Sequence, residues 1–308
     1  MNETPSLLMA GANIARSNRR YIVWFFLLNL LFAWWGTAAF SAQSHRILDH
    51  SLYADHLLHG MDASVVTEVI TRPEFGTPLG SAAPATRLAV LFFVVSLVFM
   101  PGVFLGYASD HRISREEFFR ACGHNLWRFV RLLCFFVIIA GVITGVLSGV
   151  QSGVVNAANQ TSNERLPVIL QVVGIAIIFL FATAIRAWFD LAQTDIVVRD
   201  QAAVRKSVTA GFRLARQNGA RLLGNYVVIA LAAAAILVGG ILLWHLIVPP
   251  SSVLGAFLIS QLTLFMLLAM RFWQRATAVA FYLRHWADAA AETPAAPAII
   301  TQPLSISR

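Results

Sequence analysis

Three groups of residues in this chain have types and spacings that could do chemistry. The first is a run in which His45, Asp49, His50, Asp55, His56, His59 and Asp62 fall within eighteen residues. Imidazole and carboxylate are zinc ligands. On a helix capped by Ser51 and ended by Gly60, His56 and His59 share a face and Asp62 lies just beyond. Those three are the candidate metal ligands. Their spacing is not a known zinc signature, and a hydrated acidic cap with no metal is the expectation set against them.

The second group is Arg186 and Asp190, four residues apart, with Asp195 a little beyond. At i and i+4 on a helix they read as an intramembrane ion pair, with a proton or ion relay as the sharper alternative. A guanidinium beside Asp190 stabilises its charged form, which opposes a carboxyl that must titrate, so a structural pair is expected. The third group is Gly141, Gly145, Gly149 and Gly153, flanked by Thr144, Ser148 and Ser152. Small residues every fourth position let helix backbones approach closely. The expectation is a packing groove within the chain, with a dimer face or a substrate passage as alternatives.

Absences narrow the chemistry further. There is no HExxH, CxxC, GxSxG or GxGxxG pattern, and the one lysine, Lys206, lacks a phosphate-loop context. Cys122 and Cys134 make no disulfide framework and read as buried thiols. Neither an enzyme nor a cofactor is expected.

The elements that must carry these groups follow from composition. Of 308 residues, 58% are hydrophobic and 12% charged, whereas a soluble domain has about 25% charged. A span needs about 20 apolar residues. Spans are expected near 21–43, 86–108, 128–150, 167–189, 221–247 and 253–275, the last two separated by the breaker Val248-Pro249-Pro250. The first is long for a signal peptide and reads as a retained anchor.

The charges sort by side. Segments 1–20, 108–131, 186–221 and 271–308 carry all the basic residues except Arg46, Arg72, Arg87 and Arg165. Such alternation across six spans places both termini in the cytoplasm. It also explains the net charge of +8 without nucleic acid, since no basic stretch is interleaved with stacking aromatics. Two of the basic connections are patterned. Ser114-Arg115-Glu116-Glu117 is a capping box ahead of Phe118, Phe119, Cys122 and Leu126. Val204, Val208, Phe212 and Ala215 form a stripe opposite Arg205, Lys206, Arg213 and Arg216. Both segments read as amphipathic elbow helices lying in the interface, with those four basic residues toward anionic headgroups. Phe119-Arg120 before Asn125 and Arg128 matches Phe212-Arg213 before Asn218 and Arg221, and Ala15–Asn18 echoes Ala215–Asn218. This suggests three copies of one unit: an elbow, a span out and a span back.

Asp190-Leu191-Ala192-Gln193, Val197-Val198-Arg199-Asp200, the stretch Val204–Gln217 and Leu222-Leu223-Gly224-Asn225-Tyr226 resemble a family of uncharacterised bacterial six-span proteins. His50-Ser51-Leu52, Ala54-Asp55 and Gly60-Met61-Asp62 resemble its first outer loop. That family is similar to the membrane domain attached to some glycerophosphodiester phosphodiesterases. The resemblance implies a fold and no activity.

The expected architecture is therefore an all-α integral membrane protein. Residues 1–288 form a six-helix transmembrane domain with an outer helical lid at about 45–85, and 289–308 form a disordered cytoplasmic tail. The expected function is a non-enzymatic scaffold that organises lipid or a partner, in contact with anionic headgroups and with a membrane-protein partner or a second copy as further candidates. The alternative is a small transporter or permease component with a passage lined by the third span.

Overall fold

The computed structural model describes residues 6–48, 83–161, 165–249 and 252–292. The described residues form helices with no strand: α1 (Leu7–Ser17), α2 (Arg19–Leu48), α3 (Ala83–Ala108), α4 (Arg115–Ala158), α5 (Arg165–Val198), α6 (Val204–Ile247) and α7 (Val253–Glu292). Five stretches among them are long and apolar enough to cross a membrane: Leu88–Ala108, Arg115–Ala158, Arg165–Val198, Gly219–Ile247 and Val253–Trp286. This is an all-helical, multi-pass membrane fold. The first expected span lies within the 30-residue helix α2. The breaker after Val248 ends α6 and lets α7 start at Val253.

The capping box forms as expected. The Ser114 hydroxyl accepts from the Glu117 amide at 3.1 Å, and the Ser114 amide donates to Glu117 Oε2 at 2.7 Å. The segments it and Val204 open are not separate helices, however. α4 and α6 each continue for 44 residues without a break. Between Gln217 and Leu222 the sequence offers one glycine and no proline, and a helix tolerates a glycine at about 1 kcal/mol. A break does occur at Asn18, between α1 and α2, where the Asn18 amide donates to the Ile14 carbonyl at 3.2 Å.

Burial is concentrated at one end of the bundle, where α1, the start of α4 and the α5–α6 turn meet. On α5 the first buried residue is Thr183, and on α7 it is Phe272; on α3 it is Met100. Here Tyr21, Phe25, Phe104, Phe118, Phe129, Phe189 and Phe272 pack into one core. Tyr21 stacks on Phe118 with ring centroids 5.6 Å apart. Away from this end fewer side chains are buried, and Val142, Val146, Val168, Val172, Leu246 and Leu254 are exposed, as lipid-facing side chains can be. Of the two cysteines, Cys122 is buried and Cys134 is exposed, so only the first is the buried thiol expected.

Close backbone approach is made by glycines other than the expected four. A Cβ on Gly102 would lie 2.5 Å from the Phe118 ring, and one on Gly106 would lie 2.3 Å from Tyr21 Oη. One on Gly11 would lie 2.2 Å from Thr277 Oγ1 and 2.9 Å from Thr277 Cα, where α1 docks on α7. By contrast Gly141, Gly145, Gly149 and Gly153 are exposed, and a Cβ on any of them would meet nothing within 4 Å. Among the described residues nothing packs into the intrachain groove expected of them. The reason is helical phase. At this level α4 meets α5 through Gln151, whose Nε2 donates to the Gln171 carbonyl at 3.2 Å beside Gly174. Ile143, Leu147, Gln151 and Val155 form the partly covered row. Two residues are about 200° of helix, so the glycine row lies on the opposite side.

Candidate functional site: a polar cluster at the packed end

The buried polar side chains gather where α5, α6 and α7 meet. Asp190 and Asp195 on α5 are both nearly fully buried, at 3% and 2% exposed. A buried carboxylate must be hydrogen-bonded and charge-compensated, and each of these is answered by a phenol and a guanidinium. Asp190 Oδ2 accepts from the Tyr226 hydroxyl on α6 at 2.9 Å, and Arg271 Nη1 on α7 stands 3.7 Å away. Asp195 Oδ1 accepts from the Tyr282 hydroxyl at 2.7 Å, with Arg199 Nη1 at 3.7 Å. Arg199 in turn lies over the Trp286 ring, 4.8 Å from its centroid. Gln274 ties the first set together, accepting from Arg271 at 3.2 Å and donating to the Tyr226 carbonyl at 3.3 Å. One oxygen of each carboxylate is thus held by partners from the packed end. The arrangement braces three helices.

Besides the expected Arg186, Asp190 has a cation from a distant part of the chain, and that one makes its ion pair. Arg271, from another helix, stands beside the carboxylate, while Arg186 one turn earlier is exposed. Asp190 points into the α6–α7 contact, and Arg186, one turn back on α5, is still close enough to feel its charge. Tyr226 and Arg271 lie 36 and 81 positions downstream of Asp190, so no local spacing announced them. What the sequence did offer was a charge just past the apolar run on each of α5 and α7.

A second cluster ties the α5–α6 turn to α4. Asp200 occupies the left-handed region with φ of 50°, which aspartate tolerates better than most side chains. Its Oδ1 accepts from Arg128 and, at 2.8 Å, from His124 Nε2. Partial burial raises the Asp200 carboxyl pKa, but the hydrogen bonds and charge of Arg128 and His124 outweigh this and hold it below its usual range.

Arg205, Lys206, Arg213 and Arg216 are all exposed on α6, whereas Val204, Ser207, Val208, Gly211 and Leu214 on its other face are buried. Of the expected stripe, Val204 and Val208 are covered, and Phe212 is exposed with its ring 5.0 Å from Trp188. Among the described residues no three of His, Cys, Asp and Glu converge to hold a metal ion. His56, His59 and Asp62 lie outside the described residues, as do most of the expected lid and the segment from Thr293 onward.

Comparison with known proteins adds no neighbour: no family model matches, and no curated protein or solved structure is similar.

Proposed function

We propose that this protein is a non-enzymatic, six-span protein of the bacterial inner membrane, with both termini in the cytoplasm, that holds and organises anionic lipid at its cytoplasmic face. The observation that carries this reading is the two-sidedness of α6 over Val204–Gln217, which buries its apolar row and presents Arg205, Lys206, Arg213 and Arg216 outward. The one-sided distribution of basic residues between the spans supports the orientation, and the length of α2 supports a sixth span. The likeness to the membrane domain attached to some glycerophosphodiester phosphodiesterases belongs to the proposal as a fold and not as an activity. A passage lined by the third span draws less support. The glycine row is bordered by Val142, Val146 and Val150, and the Thr144 and Ser152 hydroxyls donate to carbonyls of their own helix.

The test compares the full chain in phosphatidylglycerol and phosphatidylcholine bilayers. Each basic residue near an anionic surface contributes about 1 kcal/mol, weakened by salt. The protein should be more thermally stable in the anionic bilayer, and part of that gain should vanish in high salt. Changing Arg205, Lys206, Arg213 and Arg216 together to Gln should remove the salt-sensitive part. A gain insensitive to both salt and these substitutions would overturn the reading.

A further inference from the structure

Arg186, Arg271 and Arg275 converge at one level of the bundle with too few carboxylates to answer them. Arg186 is the first charged residue after the apolar run Leu166–Ile185, and Arg271 the first after Val253–Met270. Runs of that length cross about 30 Å of hydrocarbon, so both arginines stand where lipid phosphates lie. Arg275 follows one turn later on α7. Arg271 is close enough to repel both Arg186 and Arg275, and Asp190 is the one acid whose charge bears on Arg186 or Arg275 among the described residues. Asp190 is already engaged by Tyr226 and Arg271.

Two buried groups at this place have no partner. Arg275 Nε is buried without a hydrogen bond, as is the hydroxyl of Tyr107 on α3. Tyr107 is only 3% exposed and lies near enough to Arg275 for the guanidinium charge to bear on its phenol. Buried donors left unmade are costly, and like charges brought together without a counterion cost more. The cluster is not sealed: the Arg271 side chain is 27% exposed and Arg186 is exposed. An anion reaching in from the bilayer surface would meet Arg186 and Arg271 first, and would reach the covered Arg275 Nε and Tyr107 hydroxyl by a shift of the side chains around them.

We infer that Arg275, Arg271, Arg186 and Tyr107 form a specific site for a phosphate group, supplied by the headgroup of an anionic phospholipid. The site extends the proposed lipid role from a diffuse basic surface on α6 to one bound molecule per chain, and its arginines are not those of that surface. A phosphate offers several acceptor oxygens to guanidinium and phenol donors.

The experiment measures thermal stability of the detergent-purified full chain on addition of phosphatidylglycerol, phosphatidylcholine or inorganic phosphate. It is run in high salt to suppress the diffuse surface. Phosphatidylglycerol should raise the melting temperature, saturating at one lipid per chain, while the other two probes should not. Arg275→Gln should abolish the rise, and Arg205→Gln with Lys206→Gln should keep it. Tyr107→Phe guards against a variant that merely misfolds. With no lipid it should be at least as stable as the parent, because it deletes an unpaired buried hydroxyl, yet it should bind phosphatidylglycerol about tenfold more weakly. A rise with inorganic phosphate alone would overturn the lipid source. A rise retained in both Arg275→Gln and Tyr107→Phe would overturn the site. Loss in the α6 variant alone would overturn the site while leaving the surface reading standing.

Discussion

Replacing Gly11 with alanine should loosen α1 from α7, although alanine is the better helix former. α1 buries Leu7, Gly11 and Ala15 against the bundle, and Trp273 Nε1 donates to the Leu8 carbonyl at 3.0 Å. A Cβ at Gly11 would sit 2.2 Å from Thr277 Oγ1 and 2.9 Å from Thr277 Cα. Rotating Thr277 would sacrifice its 2.9 Å hydrogen bond to the Trp273 carbonyl and leave the clash with Cα. Intrinsic propensity favours alanine by about 1 kcal/mol, whereas overpacking of this kind costs about 1–3 kcal/mol and forces the helices apart. The net effect should favour release of α1. Arg16 and Arg19 are exposed at its end, so the assay is tryptic cleavage in detergent, which follows the open fraction when reclosing is fast. A net shift of 1 kcal/mol corresponds to about fivefold faster cleavage. Gly11→Leu should show a larger increase. If Gly11→Ala is cleaved more slowly than the parent, propensity has outweighed packing and the docking of α1 is not as tight as argued.

Gly106→Leu and Gly102→Leu should abolish folding or monodispersity, since each Cβ would enter an aromatic ring already in place. Gly145→Leu and Gly149→Leu should leave the melting temperature of the detergent-solubilised monomer unchanged. Asp200 contributes stability through a lowered carboxyl pKa. That contribution is present above its unfolded value near 3.8 and is lost as pH falls through the lower folded value. Asp200→Asn keeps a residue that tolerates φ of 50°, so it should be less stable than the parent at neutral pH, with the difference shrinking under acid titration.

The ends of the helices were legible in the sequence wherever a local signal sets them. Ser114 and Glu117 announce α4, and Pro249 and Pro250 separate α6 from α7. The partners were not. Periodicity shows that Gly141, Gly145, Gly149 and Gly153 share a face, but it cannot say which face a neighbour covers, and the covered row runs through Gln151. Gly102-Val103-Phe104-Leu105-Gly106 is a two-membered version of the same pattern. It does pack, because Tyr21 and Phe118 lie against it. Asp190 was recognisable as a carboxylate that needs a cation. Arg186 was the nearest in sequence, while the tertiary fold supplied Arg271, which sequence distance hides.

The gathering of the buried side chains at one end of the bundle has a mechanical consequence. A bundle whose rigid joints lie at one end can change the tilt of its free lengths without breaking the aromatic core or the Asp190 and Asp195 braces. Tilt is how a span adapts to hydrocarbon thinner or thicker than its own apolar length, at fractions of a kcal/mol per ångström. Most tightly interlocked bundles must strain internal contacts to do so. Here the spans can lean in touching pairs, α4 with α5 and α6 with α7, like ribs hinged on a common boss, so the fold is compliant toward changes in bilayer thickness and lateral pressure.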